Sequence, residues 1–170
     1  MSRLCTATVI VGLLGWGIAG ASDRLLVMEV TVSASLDELW HAWTTEEGLR
    51  FISTESNVAL QRGGPYEWFL DLPPDENGKR GGEGAKVLAF LPQETLAFSW
   101  TFPPSIPELR NAGETTQVVV RFTDHGDGTV TVRLIAHEWQ HGEAWDAGFA
   151  YFDRAWATVL NALKSHFEDG

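Results

Sequence analysis

The chain has 170 residues, with 12 Lys or Arg against 23 Asp or Glu, for a formal net charge of −11. This length fits one or at most two domains, and 44% hydrophobic residues with eight Trp suffice for a globular core. Because the chain is acidic and shows no broad basic patch, we expect no nucleic-acid partner. The single Cys excludes a disulfide within the monomer and a cysteine-rich zinc site.

The first 21 residues have the order of a secretory signal peptide. Arg3 precedes an apolar stretch over residues 4–18, and the small residues Ala19-Gly20-Ala21 follow it. We therefore predict cleavage after Ala21 and a mature domain over residues 22–170. Such a protein is extracytoplasmic, secreted or periplasmic, and has no stable membrane insertion.

Two alternatives to cleavage stay open at this point. In the first alternative the segment is retained as a membrane anchor, although its apolar stretch falls short of the ~20 residues that span a bilayer. In the second alternative translation begins at Met28, and the protein is then cytoplasmic.

The first elements of the mature chain are predicted to be a strand and two short helices. Residues 25–32 form a β-branched run that is typical of a strand. Ser35 as the N-cap and Glu38 three residues later make a capping box, which predicts a helix through Trp43. A second short helix is predicted within residues 45–52.

From Asn57 onward the apolar residues alternate with polar ones, which is the period of a strand. A polar, glycine-rich loop follows, and a proline-rich stretch farther along is long enough to be a flap. An Asp-Gly tip indicates a hairpin between the last two strands. The predicted strands cover 66–70, 87–91, 96–102, 118–122 and 130–134, the loop 73–84, the flap 103–114 and the hairpin tip 124–128.

The C-terminal segment has the strongest periodicity, with large apolar residues every three or four positions from residue 142 to the end. A helix of about 25 residues is ~38 Å long and crosses a small domain. Its apolar face must pack against another apolar surface, and the antiparallel sheet is the large surface available. We predict an α+β fold in which a curved sheet of six or seven strands wraps around this helix.

The space between a curved sheet and a helix suits an apolar ligand, so we predict a ligand-binding cavity there. The same aromatic residues are also what a packed core requires, and both interpretations stay open here. Buried indole N–H groups need a hydrogen-bond partner in either case. The candidate ligand-binding residues are Tyr66, Trp68, Trp100, Phe122, Trp145, Phe149, Phe152 and Trp156.

The segment His137-Glu138-Trp139-Gln140-His141 matches the H-E-x-x-H pattern of zinc proteases, in which a helix brings both imidazoles to one metal. Here the pattern follows directly on an alternating strand. On an extended backbone the two His lie ~13 Å apart, too far to share a metal. We therefore predict a strand end and no metal site, with His137, Glu138 and His141 as weak candidates for acid or base catalysis at the cavity mouth.

Several stretches resemble the START-like helix-grip superfamily, also called SRPBCC, and within it the branch of activator of heat-shock-protein-90 ATPase homologues and polyketide cyclase-like proteins. They are residues 32–49, 63–68 (Gly-Gly-Pro-Tyr-Glu-Trp), 84–100, 152–156 and 160–164. The resemblance implies the helix-grip fold. It also implies one of several roles, because members bind lipids, sterols or polyketides, cyclise or dehydrate polyketide chains, or act as co-chaperones.

We expect this chain to bind a small apolar or amphipathic molecule without catalysis and without a cofactor. One alternative is a cyclase or dehydratase-like enzyme on the same fold. The other is a protein-interaction or co-chaperone-like module whose protein partner the sequence does not identify. A co-chaperone of a cytosolic ATPase has no such partner outside the cytoplasm, so export disfavours that role.

Overall fold

A computed structural model describes residues 24–70, 74, 76 and 78–168. The predicted leader over residues 1–21 lies outside these ranges. Within them the strands are β1 (Arg24–Val32), β2 (Ser56–Val58), β3 (Tyr66–Trp68), β4 (Val87–Leu91), β5 (Thr95–Thr101), β6 (Thr115–Asp124) and β7 (Val130–Trp139). The helices are α1 (Leu36–Thr44), a short 3₁₀ helix (Gly48–Phe51), α2 (Pro107–Asn111) and α3 (Glu143–Glu168).

The strands form an antiparallel sheet in the order β1-β7-β6-β5-β4 and a separate antiparallel pair, β2-β3. The predicted α+β helix-grip fold is confirmed, with the refinement that its strands divide into a five-stranded sheet and a pair. The pair adjoins β4 through the bridge between Pro65 and Lys86 and through the Tyr66 N–H, which donates to the Ala85 carbonyl at 2.9 Å. The β2-β3 pair therefore lies next to β4.

The 26-residue helix α3 packs its apolar stripe on the sheet, as its periodicity predicts. Its buried residues follow the spacing of one helix face: Trp145, Gly148, Phe152, Trp156, Val159, Leu160 and Leu163. Near its end, the Lys164 ammonium donates to the Thr31 carbonyl of β1 at 3.1 Å. Helix and sheet thus form the two walls of one hydrophobic core.

The capping box predicted for α1 is present. The Ser35 hydroxyl accepts the Glu38 N–H at 3.3 Å, and the Glu38 carboxylate accepts the Ser35 N–H at 2.8 Å. The second predicted helix is a single 3₁₀ turn, which buries Leu49 completely. These short elements close one end of the core before the chain enters β2.

The stretch predicted as a flap, 103–114, contains the short helix α2 with Pro107 in its first turn. Proline suits that position because the N–H it lacks has no partner within a helix there. Leu109 of α2 is 4% exposed and joins the core. The flap is therefore anchored over α3 by an apolar contact. Within the described residues, no helix is both long and apolar enough to cross a membrane.

Candidate functional site

A small cavity lies between α3 and the strands β3 and β5, where the sequence predicts the ligand. Its volume is about 30 Å³, which is room for about one water molecule. Its walls come from β3, β5, α3, the glycine-rich loop and the start of the flap, and they are Trp68, Leu70, Gly81, Gly82, Trp100, Thr101, Pro103, Tyr151, Phe152, Ala155, Trp156 and Val159. We call this space the inner cavity.

The inner cavity is small because aromatic rings fill most of the space between helix and sheet. Trp100 lies 4.9 Å from Trp68 and 5.2 Å from Trp156, measured between ring centroids. Trp156 in turn stacks on Phe152 at 5.9 Å. Such ring pairs are favourable beyond the area that they bury, so the aromatic residues form a close-packed core around the remaining space.

A larger groove of about 430 Å³ opens on the outside of the inner cavity. Its walls are Ile52, Leu70, Tyr151, Arg154, Ala155, Thr158 and Val159. Four of these residues, Leu70, Tyr151, Ala155 and Val159, also line the inner cavity. The outer groove and the inner cavity are therefore adjoining parts of one site on the face of α3.

The outer groove combines apolar residues with three polar side chains, those of Tyr151, Arg154 and Thr158. Tyr151 is half-buried, and this burial raises the pKa of its phenol from the ordinary value. Tyr151 therefore stays protonated at neutral pH and is able to donate a hydrogen bond. Arg154 is exposed, and no carboxylate among the described residues lies within ion-pair distance of it. Among the residues that the structure describes, Arg154 is therefore a cation without an ion pair, in a chain of net charge −11.

Unpartnered polar atoms gather around the inner cavity. Within the described ranges, four buried side-chain polar atoms lack a hydrogen-bond partner: Trp43 Nε1, Trp68 Nε1, Thr101 Oγ1 and Trp156 Nε1. The last three belong to residues that line the inner cavity. Each buried polar atom without a partner costs about 1–3 kcal/mol. These three atoms are inaccessible to solvent, so they lie behind the surface of the cavity wall.

The glycine-rich loop lies directly on β3 at the cavity wall. A Cβ on Gly82 would lie 2.4 Å from the Trp68 carbonyl oxygen, and the φ of Gly82 is +69°. Both conditions require glycine. The next residue, Glu83, accepts the N–H groups of Arg80 at 2.5 Å and Gly81 at 2.9 Å. The close approach of Gly82 to Trp68 and the hydrogen bonds of Glu83 therefore hold this loop against the wall of the inner cavity.

Four of the eight predicted ligand-binding residues line the inner cavity: Trp68, Trp100, Phe152 and Trp156. Tyr66 lies behind Trp68, with 5.6 Å between the ring centroids. Its hydroxyl donates to the Trp43 carbonyl at 2.6 Å, and its complete burial raises the pKa of the phenol well above 10. Tyr66 is thus a neutral hydrogen-bond donor within the core.

The other three predicted residues lie away from the inner cavity and the outer groove. Trp145 and Phe149 pack against Trp139 at 6.4 and 5.2 Å between ring centroids, around the first turns of α3. Phe122 packs edge-on against Trp40 of α1 at 5.7 Å. The structure therefore divides the predicted aromatic set among three neighbourhoods.

The H-E-x-x-H segment begins on the last residues of β7 and leads into α3, as the strand pattern predicts. Glu138 has a φ of +66° and accepts the Gln117 side-chain N–H at 2.7 Å, while His141 is exposed. Neither His137, Glu138 nor His141 lines the inner cavity or the outer groove. Across the described ranges, no group of three or more His, Cys, Asp or Glu side chains is placed to hold a metal ion.

The predicted ligand-binding set did not include several residues that line the two spaces: Ile52, Leu70, Gly81, Gly82, Thr101, Pro103, Tyr151, Arg154, Ala155, Thr158 and Val159. Tyr151, Ala155 and Val159 follow one another at steps of four, so the i, i+4 spacing on α3 gave a signal for one common face. The sequence contains no such signal for Thr101. It follows Trp100 directly at the end of β5, so alternation along the strand places the two residues on opposite faces of the sheet. Its role at the cavity depends on the close approach of several elements.

The fold is shared with solved structures of low sequence identity. Protein MLL2253 from Mesorhizobium loti has 18% identity and a TM-score of 0.64, over 84% of this chain and 95% of that one. The Aha1 dimer from Colwellia psychrerythraea has 20% identity and a TM-score of 0.62, over 85% and 96%. CalU16 from Micromonospora echinospora has 18% identity and a TM-score of 0.59, over 86% and 77%. These likenesses concern the fold alone.

The chain matches none of the curated proteins in sequence. Its residues 33–168 match the family described as Activator of Hsp90 ATPase homolog 1-like protein. This range runs from the residue after β1 to the end of α3 and so includes every element that forms the candidate site. The chain therefore belongs to the Activator of Hsp90 ATPase homolog 1-like protein family.

Proposed function

We propose that this protein binds a small apolar or amphipathic molecule in the outer groove, with one end of the molecule at the inner cavity. The observation that carries the proposal is the continuity of the two spaces through Leu70, Tyr151, Ala155 and Val159. The outer groove of about 430 Å³ lies within the roughly 300–1,000 Å³ that is usual for small-molecule sites.

The groove chemistry supports an amphipathic ligand. Ile52, Leu70 and Val159 offer apolar surface, whose burial contributes about 25 cal/mol per Å². Arg154 at the rim has no ion pair among the described residues, and it suits a negative or strongly polar group at the solvent end of the ligand. The apolar body then lies along α3.

Binding is the function that the geometry supports best. A cyclase or dehydratase needs an acid or base within hydrogen-bond reach of its substrate, and His137, Glu138 and His141 line neither space. Family membership and the likeness to CalU16 concern descent and fold, and activity depends on the site. We further propose that this binding takes place outside the cytoplasm, after removal of residues 1–21.

The test fills the outer groove with a large side chain placed on α3. Ala155 lines both spaces, whereas Ala157 on the same helix is exposed and lines neither. Titration with 1-anilinonaphthalene-8-sulfonate, followed by its fluorescence, should show binding by the wild type and by Ala157→Phe. Ala155→Phe should bind at least tenfold more weakly, and equal binding by Ala155→Phe would refute this site.

The natural ligand is sought with the same pair of variants. Native mass spectrometry of protein purified from its own compartment should show a co-purifying small molecule on the wild type and on Ala157→Phe. The molecule should be lost from Ala155→Phe while thermal unfolding confirms that this variant is folded. A molecule retained by Ala155→Phe binds elsewhere and contradicts the proposal.

A further inference from the structure

The five-stranded sheet has a second face, which points away from the hydrophobic core. Successive residues of a strand point to opposite faces of a sheet. Val118, Val120 and Leu134 belong to the core that α3 covers, whereas Val119 and Ile135, which alternate with them, do not. We call the side of the sheet that carries Val119 and Ile135 the back face.

A row of apolar side chains crosses all five strands on the back face. The strand registers place each member directly opposite the next, so neighbours are about 4.8 Å apart and the row is about 19 Å long. Val27 at one edge is 45% exposed, Ala89 at the other edge is also exposed, and the members between them are half-buried. The row is therefore a continuous apolar strip open to solvent. In the order β1, β7, β6, β5 and β4, its members are Val27, Ile135, Val119, Ala97 and Ala89.

Two arginines lie opposite each other beside this row. Arg121 of β6 and Arg133 of β7 are cross-strand partners, and both side chains are exposed. Each follows or precedes a member of the row by two residues on the same strand, which is a distance of about 7 Å. The back face thus combines an apolar strip with a pair of cations along one side of it.

The arginine pair is unfavourable for the protein alone, because like charges directly opposite each other in a sheet repel. Arg133 has the exposed Glu29 carboxylate at 3.9 Å. For Arg121, no carboxylate in the described part of the chain lies within ion-pair distance. The fold therefore keeps two neighbouring cations whose repulsion its own carboxylates relieve only in part, and an external carboxylate would relieve it further.

The spacing of the apolar row suits a helix better than an extended segment. Side chains on one face of a helix recur with each turn of about 5.4 Å, close to the spacing of about 4.8 Å between strands. Side chains on one face of an extended segment recur only every ~6.7 Å. A helix of about 13 residues at ~1.5 Å per residue would cover the whole row. Carboxylates along one flank of this helix would then meet the guanidinium groups, which bind carboxylates well.

A second copy of the chain and a membrane fit the back face less well. In a two-fold dimer the same patch meets itself, and each copy has a net charge of −11, so the two copies repel each other. The apolar row contains no Trp or Tyr, the residues that are enriched where proteins meet a membrane interface. The net charge of the chain also disfavours an anionic lipid surface.

We propose that the back face docks an acidic amphipathic helix of a partner protein. The apolar side chains of that helix lie along the row from Val27 to Ala89, and its carboxylates pair with Arg121 and Arg133. This docking is independent of the proposed ligand binding, because none of these residues lines the inner cavity or the outer groove.

The test uses two fluorescein-labelled peptides that differ only in charge. The sequence LEQLLEQLEQLLEQ places its leucines on one helix face and its glutamates along one flank. In the control peptide LQQLLQQLQQLLQQ every glutamate is glutamine. Fluorescence anisotropy with the full chain at low salt should show about tenfold tighter binding of the acidic peptide. Without the arginine contact the net charge of −11 would favour the neutral peptide instead.

Three substitutions connect this preference to the back face. Arg121→Gln and Arg133→Gln together should abolish the preference for the acidic peptide. Arg62→Gln, at an exposed position between β2 and β3, is the control and should keep it. Arg121→Gln should not lower the midpoint of thermal unfolding, because it removes a like-charge contact, so weaker binding by this variant would not reflect unfolding.

Each further outcome decides against the proposal. Equal binding of the two peptides by the wild type overturns it, and so does a preference for the acidic peptide that Arg121→Gln and Arg133→Gln together retain. Sedimentation of the wild type with phosphatidylglycerol vesicles, lost when both arginines are replaced, would make a membrane the occupant. A dimer in analytical ultracentrifugation that the same replacement dissociates would make a second copy the occupant.

Discussion

Glu83 and Arg110 form an ion pair of 2.6 Å whose side chains are only 16% and 12% exposed. Glu83 belongs to the glycine-rich loop between β3 and β4, and Arg110 belongs to α2 in the flap. The Arg110 guanidinium also donates to the Phe102 carbonyl at the start of the flap. The pair thus joins the loop to the flap beside the inner cavity, which both segments line.

Glu83→Gln should lower the free energy of unfolding by about 2 kcal/mol at neutral pH, because it removes one charge from a mostly buried pair. Burial opposes ionisation of Glu83, but hydrogen bonds from the Arg80 N–H and the Arg110 guanidinium outweigh it and lower its pKa. A lowered carboxyl pKa contributes stability above the unfolded-state pKa, which is lost as the pH falls through the folded-state pKa. The difference between variant and wild type should therefore shrink as the pH falls below 4.5, the ordinary value.

Urea unfolding at several pH values measures this difference. Glu29→Gln is the matched control, because Glu29 and Arg133 are 3.9 Å apart and both are exposed. An exposed pair contributes less than about 1 kcal/mol. A Glu83→Gln effect that is no larger than that of Glu29→Gln would show that the loop and the flap are not coupled by this pair.

Thr101→Val should raise the free energy of unfolding of the ligand-free protein by about 1 kcal/mol, since it removes a buried hydroxyl without a partner and keeps the side-chain shape. Thr44→Val is the matched comparison, because the Thr44 hydroxyl donates to the Trp40 carbonyl at 2.6 Å. Its loss should destabilise the protein or leave it unchanged. Thermal unfolding of both variants measures whether the free energy of unfolding rises in Thr101→Val and does not rise in Thr44→Val. Destabilisation by Thr101→Val would indicate that its hydroxyl already has a partner.

Gly148→Ala should destabilise the protein by about 1–3 kcal/mol although alanine favours helices, because its Cβ adds volume to a close-packed core. That Cβ would lie 2.8 Å from Phe102 Cε1 and 3.4 Å from Leu109 Cδ1. The Phe102 ring is held between Trp145 and Phe152 and has little room to move.

Denaturant unfolding of Gly148→Ala is compared with that of Ala147→Gly at the neighbouring, exposed position. Ala147→Gly should cost about 1 kcal/mol from helix propensity alone. A gain in stability for Gly148→Ala would mean that the flap moves away from α3 without cost.

Arg154→Gln should weaken binding of 1-anilinonaphthalene-8-sulfonate about fivefold at low salt, because it removes the cation of the outer groove from an anionic probe. Binding of the neutral 2-acetylnaphthalene should change little. Arg121→Gln on β6, exposed and outside the groove, serves as the control in the same fluorescence titration. Equal weakening by both variants would indicate a general charge effect instead of a contact.

The mature protein should begin at Ser22, as we propose from the small residues before that position. N-terminal sequencing and intact mass of protein from its own compartment measure this end. Ala21→Arg should block cleavage, because a small residue is required directly before the cut. An end at Met1 or at Met28 in the wild type would contradict export by cleavage.

The sequence predicts the fold well where one local pattern decides the structure. The three- to four-residue period of α3 and the Ser35–Glu38 capping box each predict an element that the structure contains. The alternation after Tyr66 predicts a strand to residue 70, but β3 ends at Trp68. Pairing between strands decides where such a short strand ends, and local alternation does not carry that information.

The site was harder to predict than the fold. Alternation shows which face of a sheet a residue occupies but not its position along the strand, so Phe122 and Trp100 seemed equivalent although Phe122 lies against Trp40. The volume left between helix and sheet depends on how the rings of several elements interlock. Trp68, Trp100 and Trp156 interlock well enough to leave about 30 Å³, and no pattern along the chain encodes that remainder.

The close spacing of the tryptophans gives the protein a built-in optical signal. Trp68, Trp100 and Trp156 lie 4.9 to 6.1 Å from one another between ring centroids. At such distances electronic excitation passes readily between indoles, so light absorbed by one ring is emitted or lost at another. A molecule that contacts Trp156 should therefore change the emission of all three rings, so intrinsic fluorescence offers a label-free test for occupancy of the inner cavity.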